Sequence, residues 1–572
     1  MSATRRGLGV DAGTWAVGIA AGLAAFAIVV VWFAVTTGSA LAEVNPNLPR
    51  DPFDVFFGSL RGSYRWPAQS TWIVIGVVLF LIGAGLLVFK ALGTLRRGRR
   101  MIDRAAVQMG RGRVIDALTE TGARRTATQL GVTDWVGVPI GLTVHGRKRL
   151  YASPEDMVTT IAGPRTGKST SLVVPAILSA PGAVITTSNK RDVLDTTRAF
   201  RAERGRVWAF DPQQVALQPP DWWWNPLSYV TNDLQAAKLA EHFASGSRSA
   251  DARTDAYFDA AGQDLLAGFL LAAAVDKRPV TDVFTWTTQP GDDVPVGILR
   301  RNGYLQMADA VASQVYGEPR RRDSVYGTAS QMAACLKIKS IAAWVTPQGE
   351  DGVDLRPQFD PASFVGSRDT LYSLSREGKG TAGPLVTALT AATIEAAEQL
   401  AVRSPGGRLR VPLLGVLDEA ANVCRWRELP ALYSHYGSRG IVLITILQSW
   451  SQGVDVWGRD GMRTLWSASN VAIYGGGVKE PEFLSELSQM IGDYERDSHT
   501  VSSGRGGQSV SRTQGHARIL DIADLAALPR GRAVVIASGT PAVLVETEPW
   551  MSGPHAAAIR AALAEAQPSV GG

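Results

Sequence analysis

The 572-residue chain has only two cysteines, Cys335 and Cys424, and six histidines scattered along its length. Two thiols exclude a disulfide framework and a cysteine-rich zinc module, and the scatter of the histidines argues against a histidine metal centre. Charged residues make up 19% of the chain against 45% hydrophobic ones, which excludes a wholly disordered or coiled-coil protein. Lysine is scarce as well, with ten lysines against 48 arginines. Genomic base composition accounts for such a bias, and so does arginine-rich phosphate recognition. The net charge of +6 and pI of about 9.3 permit nucleic acid or anionic lipid as a partner and require neither. No internal repeat is visible. At roughly 100–200 residues per domain, the length calls for more than one domain. A mean hydropathy of +0.03 suits a short membrane part joined to a large soluble part.

What is present begins with two uncharged runs. No charge falls between Asp11 and Glu43, and none between Arg65 and Lys90. About 20 such residues cross a hydrocarbon core of about 30 Å, so both runs qualify as transmembrane helices. The expected helices are about 15–37 and 69–92, within a hairpin anchor over 1–92. Trp15, Trp32, Trp66 and Trp72 sit near the run ends, where indole rings favour the interface. A cleaved signal peptide is the alternative, with Arg5 and Arg6 ahead of the first run and Gly38 to Ala42 as a cleavage-like string. The apolar run is too long for that. Lys90, Arg96, Arg97, Arg99, Arg100 and Arg104 follow the second run, while the connecting loop is balanced. The positive-inside rule then puts both termini in the cytoplasm, at the inner or plasma membrane.

The chemistry is concentrated in two strings. A β-branched strand from Val158 to Ile161 enters Ala162-Gly163-Pro164-Arg165-Thr166-Gly167-Lys168-Ser169, followed by Thr170 and a helix. This matches a phosphate-binding loop except at its first position, where Ala162 replaces glycine. Gly163 and Gly167 let backbone N–H groups close around phosphates, helped by the helix N-terminus. Lys168 would face the β- and γ-phosphates of ATP, and Ser169 offers a hydroxyl to Mg2+. The second string, Val411 to Asn422, is a buried-strand pattern ending in Asp418-Glu419. Asp418 would hold the metal with Ser169, and Glu419 would polarise the attacking water. A further strand, Ile441 to Leu447, ends in Gln448, placed to contact the γ-phosphate as in RecA-like ATPases. Arg439, just ahead of that strand, is the candidate to reach a neighbouring subunit's nucleotide, in competition with Arg425 and Arg427. A cassette-type transporter would need a signature string before the second acidic motif. The only similar string, Ser503 to Ser509, follows it.

Elsewhere the sequence predicts a basic juxtamembrane segment over 93–150 and a nucleotide-binding domain over 151–230 and 346–550. Strands are expected near 182–187, 207–210, 368–374, 533–537 and 542–547, with a helix from Pro384 to Val402. The tract Pro219 to Pro226, holding Trp222, Trp223 and Trp224, breaks the α/β pattern. From 231 to 345 the period is helical and reads as an inserted all-α domain. Residues 498–516 read as a solvated polar loop or, facing a pore, as a contact for a DNA backbone. The 551–572 tail reads as helical, then disordered.

Taken in order, these strings resemble one family, the coupling proteins of conjugation and type IV secretion of the TraG/TraD type. The series is Gly163 to Ser169 with Pro175, Thr187 to Asp192, Asn225-Pro226-Leu227, the helical insertion, Leu417 to Ala420, Gln448-Ser449 with Gln452, and Leu525 to Pro529. The resemblance implies an α/β fold, a FtsK/HerA-like RecA core with an inserted all-α domain behind a membrane hairpin. It also implies a homo-hexameric, ATP- and Mg2+-dependent translocase. Such a motor would take single-stranded DNA with its relaxase, or another secreted protein, to type IV secretion channel components, the insertion recognising cargo. Two other readings stay open: a related ATPase that docks or exports protein without threading DNA, and a membrane receptor that nucleotide merely switches.

Overall fold

The computed structural model describes residues 12–97, 101–247, 256–349, 354–376, 382–504 and 507–566. Arg5 and Arg6, Arg505 and Gly506, and the expected disordered end at 567–572 lie outside them. The chain divides into two units, Met1–Arg100 and Met101–Gly572.

The first unit contains helices Ala12–Leu41 and Ala68–Arg97, with a short helix Pro52–Leu60 between them. Each long helix has 30 residues and so spans about 45 Å, longer at both ends than the sequence suggests. The two meet closely beside their connection, where a Cβ on Gly38 would overlap Ser70. Asp51 caps the short helix by accepting from the Phe53 N–H at 2.8 Å. Residues Ala68–Gly85 are long and apolar enough to cross a membrane. Trp72, Val78, Leu79, Phe80 and Ile82 all stay exposed. A continuous apolar face of this kind is matched to hydrocarbon rather than water. Helices Tyr257–Val275 and Gly383–Arg403 pass the same test of length and composition, but most of their surface is buried within the second unit.

The second unit is built on strands β1 (Val138–Thr143), β2 (Arg149–Ala152), β3 (Val158–Ile161), β4 (Val184–Ser188), β5 (Val207–Phe210), β6 (Thr370–Leu374), β7 (Leu413–Leu417), β8 (Ile441–Leu447), β9 (Val471–Tyr474), β10 (Asp493–Gly504), β11 (Gly507–Arg518), β12 (Arg532–Ala537) and β13 (Thr540–Glu546). Eleven form one sheet in the order β2-β1-β13-β12-β9-β3-β8-β7-β4-β6-β5. From β9 to β5 every pairing is parallel, and from β9 to β2 every pairing is antiparallel. Helices cover both faces, so β3, β4, β6, β7, β8 and β9 are buried along their whole length. That is why their sequences read as unbroken apolar runs. Side chains alternate between two clusters, Ile161, Leu417 and Leu447 in one and Val158, Val416 and Ile446 in the other.

Two expectations are corrected. The nucleotide domain does not begin at 151, because β1 and the first half of β2, inside the supposed juxtamembrane segment, belong to the same sheet. β1 pairs with β13, just over 400 residues later, which no local pattern announces. The expected loop at 498–516 lies within a long hairpin. β10 pairs with β11 from Asp493↔Arg518 to Gly504↔Gly507. Two strands outside the main sheet need no apolar alternation, so the period-2 signal is missing.

The tryptophan tract clasps the neck of the helical insertion. Trp222 and Trp224 are buried and pack with Trp208, Phe210, Trp344 and Phe359. The Trp224 N–H donates to Trp344 O at 2.9 Å, and the Phe359 N–H donates to Trp223 O at 2.7 Å. Entry and exit of the insertion are thereby tied together. Its helices share one apolar cluster with helix Gly383–Arg403, so the insertion is seated on the core. At the far end, helix Ala556–Ala566 places Ile559 against Val174 and Leu178.

His242, on helix Asp233–Ser247, is buried in this seat and its Nε2 has no hydrogen-bond partner. Burial, with Lys238 nearby, lowers its pKa from 6.5 to about 4. The folded state therefore favours neutral His242. Its contribution is full above pH 6.5 and is lost as pH falls toward 4, because the unfolded chain takes the proton first. The loss amounts to about 3 kcal/mol. Unfolding curves of the parent and His242→Leu should diverge in slope across that window, the parent falling more steeply.

Candidate functional site

Strands β3, β7 and β8 are neighbours and end at the same edge of the sheet, with Ile161 paired to Leu447 and Leu417 to Thr445. Their following residues converge: the loop 162–169, the pair Asp418-Glu419, and Gln448. In open α/β sheets this carboxyl edge is where ligands bind.

The loop is held from outside. The Ala162 N–H donates to Leu447 O at 3.0 Å, and the Gly163 N–H to Gly476 O at 2.8 Å. A Cβ on Gly163 would collide with the Gly477 backbone, so only glycine fits. Arg165 and Gly167 have φ of 61° and 97°, and glycine is the residue that adopts such a backbone freely. Pro164 and Arg165 are exposed, while the Thr166 and Thr170 hydroxyls donate to Gly163 O and Gly167 O at 2.9 and 3.0 Å. The helix starts with a π turn, Ser169–Val173, where the Val174 N–H reaches Ser169 O. Pro175 follows at once. It has no N–H for Ser171 O and its ring would crowd that carbonyl, so the wider turn relieves both.

Lys168 Nζ lies 2.8 Å from Glu419 Oε1, at 11% and 5% side-chain exposure. Gln448 Nε2 donates to Glu419 Oε2 at 2.6 Å. Asn422 Nδ2 adds a longer contact to the same oxygen at 3.5 Å. Ser169 Oγ is 3.5 Å from Asp418 Oδ2. Glu419 has φ 54° and ψ 41°, a left-handed backbone that costs a non-glycine residue about 1–2 kcal/mol. Burial pushes the Asp418 carboxyl up to about 7. Glu419 and Asp192 add to the rise and Lys168 opposes it. A hydroxyl beside a desolvated carboxylate is a donor set for a hard divalent cation, whose charge would remove the penalty. Ser169 and Asp418 therefore fit Mg2+.

The structure brings Lys168, Ser169, Asp418, Glu419 and Gln448 together. It does not bring Arg439 to them. Arg439 sits at the opposite end of β8, about 20 Å of strand away, and pairs with Glu398 at 3.1 Å. Arg425 is half-buried and Arg427 exposed. Sequence reasoning missed the turn Gly475-Gly476-Gly477, whose run of three glycines after a strand was the available signal. It named Thr187 only as part of a motif and missed that its hydroxyl donates to Asp418 O at 2.8 Å. It also missed Arg530, whose Nε lies 3.7 Å from the position of a Cβ on Gly167.

Two family models match this architecture. One, described as type IV secretory system conjugative DNA transfer, covers residues 110–348, and the other, the TraM recognition site of TraD and TraG, covers 412–530. The chain belongs to the TraG/TraD-type coupling protein family. Among solved structures, the unbound bacterial conjugative coupling protein TrwBdeltaN70 is similar, with a TM-score of 0.52 and 20% identity over 71% of this chain and 88% of that one. Plasmid coupling protein TrwB with ADP and Mg2+ aligns at a TM-score of 0.50 and 19% identity, over 69% of this chain and 86% of that one. At these identities the likeness establishes the fold, a RecA-like core with a helical insertion. Comparison with curated proteins finds no match.

Ala162, the departure from the loop pattern, has a structural reason. Its methyl faces Gly475, where an added Cβ would lie 2.8 Å from it. Gly475→Ala should weaken ATP binding by about 1–3 kcal/mol through overpacking. Ala162→Gly should restore it in the double variant, and the coupling in a titration-based mutant cycle measures the contact.

Proposed function

We propose that this chain is a membrane-anchored coupling ATPase that moves single-stranded DNA, with its relaxase, toward a type IV secretion channel. The observation that carries this reading is the joined set of Lys168, Glu419 and Gln448 beside Ser169 and Asp418. Each member suits one task in phosphoryl transfer to water. Lys168 exchanges Glu419 for the β- and γ-phosphates of ATP. That exchange frees Glu419 to accept a proton from the attacking water, while Gln448 orients the terminal phosphate. Ser169 and Asp418 would hold Mg2+, which when bound draws charge from the phosphate oxygens. The amides of Gly163 to Thr170 line the rest of the phosphate chain.

The apolar hairpin of the first unit supports attachment to the inner or plasma membrane, with both termini in the cytoplasm. Ring assembly as a hexamer gives Arg439 a task in trans. Its pairing with Glu398 keeps the guanidinium at the far end of β8 from its own nucleotide, where a neighbour's site could be met. The hairpin of β10 and β11 carries few apolar residues and several arginines, a composition suited to a DNA backbone lining a central pore.

The test is steady-state ATP hydrolysis by the full-length chain in nanodiscs, with and without single-stranded DNA, across a salt series. Turnover should rise with DNA, and the stimulation should fade as salt increases. Lys168→Ala should abolish turnover, and Glu419→Gln should lower it by roughly 10²–10⁴-fold while ATP still binds. Hydrolysis indifferent to DNA would favour a motor for protein cargo. Binding without turnover, unchanged in Glu419→Gln, would favour a nucleotide-switched receptor.

A further inference from the structure

The short helix Pro52–Leu60, between the two long helices of the first unit, buries one face and leaves the other bare. Val55 is fully buried, whereas Phe53, Phe57 and Leu60 are 58%, 49% and 69% exposed. At 3.6 residues per turn those three fall within about 60° of one another, with Val55 on the opposite side. The stripe itself holds no charge. Three large apolar side chains side by side on a nine-residue helix are not matched to water.

Asn45 fixes the level at which this helix sits. Its side chain accepts from the Arg65 N–H at 3.2 Å, and donates to Arg65 O at 2.7 Å and to Ser39 Oγ at 3.1 Å. Ser39 belongs to the first long helix, so both connecting segments are tied to that helix's end. After Leu60 the chain folds straight back. The Ser63 N–H donates to Gly58 O at 2.9 Å, and a Cβ on Gly58 would overlap the Tyr64 ring. Trp66 follows two residues after Tyr64, and Trp72 lies near the start of the second long helix, both exposed. Indoles in such positions mark the boundary between hydrocarbon and headgroups. The short helix is therefore held at that boundary, a layer on the order of 5–8 Å deep.

We infer that Pro52–Leu60 is an interfacial helix, lying on the bilayer where the hairpin turns, with Phe53, Phe57 and Leu60 among the upper acyl carbons of the lipid. Residues 42–67 carry the acids Glu43, Asp51 and Asp54 against Arg50, Arg61 and Arg65. These charges balance, so a zwitterionic phospholipid suffices as the partner. The inference rests on the membrane-anchor reading above and adds a third element to what the lipid holds.

Depth is read from a nitroxide on a single introduced cysteine, in the full-length chain in zwitterionic nanodiscs. Cys335 and Cys424 are buried and out of the reagent's reach. Collisions with oxygen, which concentrates in hydrocarbon, are compared with collisions with a water-soluble nickel chelate. Phe57→Cys and Leu60→Cys should favour oxygen several-fold over Asp54→Cys, which stands beside the stripe. They should resemble Leu79→Cys, on the exposed apolar face of the second long helix. Leu60→Cys, at the helix end, keeps the test open if Phe57→Cys disturbs the fold. Chelate access at 57 and 60 equal to that at 54 puts the stripe in water. Access by neither reagent puts it against protein, such as a second copy of the chain. Either result overturns the interfacial helix. A Leu79→Cys label that itself meets the chelate overturns the membrane hairpin instead, so the two failures are distinct.

Discussion

The ion pair of Lys168 with Glu419 sits almost out of water, and the site depends on how its charges balance. Taking two charges from water costs several kcal/mol each, and attraction offsets that only when the remaining hydrogen-bonding groups are also met. Here they are met on one side: Gln448 and Asn422 both approach the second Glu419 oxygen. Asp418 accepts from the Glu419 N–H at 3.1 Å and has Ser169 at 3.5 Å, yet burial still pushes its carboxyl up to about 7. One cation thus faces two acids. That imbalance describes a site complete only when further positive charge arrives at Asp418 and phosphate draws Lys168 away from Glu419. The left-handed backbone of Glu419 belongs to the same balance, since it turns the side chain back toward Lys168 immediately after a buried strand.

Such a constellation needs a rigid frame, and the parallel sheet supplies it. β8 is locked by register to β3 on one side and to β7 on the other, so the three strand ends cannot slide separately. Backbone hydrogen bonds from Ala162 and Gly163 tie the loop to the ends of β8 and β9. On the opposite flank, the tryptophan clasp closes the insertion's neck, so more than a hundred residues of helix attach without opening the sheet. The shared apolar cluster then makes the insertion part of the ATPase rather than an appendage.

The sequence showed the parts of this design that are local. β3, β5 and β8 lie where the apolar runs placed them, because a strand buried on both faces writes its burial into consecutive residues. The phosphate loop was legible because its glycines and lysine serve a backbone geometry spanning eight residues. Contacts made across the chain were not legible. β1 is a strand of this sheet because β13 is there to pair with it, and Gly475 matters because Ala162 is opposite. The long hairpin was hidden for another reason. It lies outside the main sheet, and its sequence carries no apolar alternation to read. Arg439 shows the converse, a motif position that sequence could name while only the fold could show it standing at the wrong end of its strand for its own site.

The path from that hairpin to the nucleotide loop is short and continuous. At its root the Ile519 N–H donates to Gly492 O, and the Ser488 hydroxyl to Leu520 O at 2.7 Å. The chain then turns through a capping box of Asp521 and Asp524, and Leu525 O accepts from the Tyr474 hydroxyl at 3.0 Å. Leu528 packs against Gly476, whose carbonyl holds Gly163, and Arg530 lies against Gly167. Each step from Ile519 to Arg530 is a hydrogen bond or a close contact. Packed interiors resist gradual deformation, so a displacement at the hairpin root is not absorbed along this path. It reaches the glycine turn 475–477, against which Leu528 packs. The three glycines that let the turn approach the phosphate loop also make it the place where the chain leaving the hairpin and that loop meet.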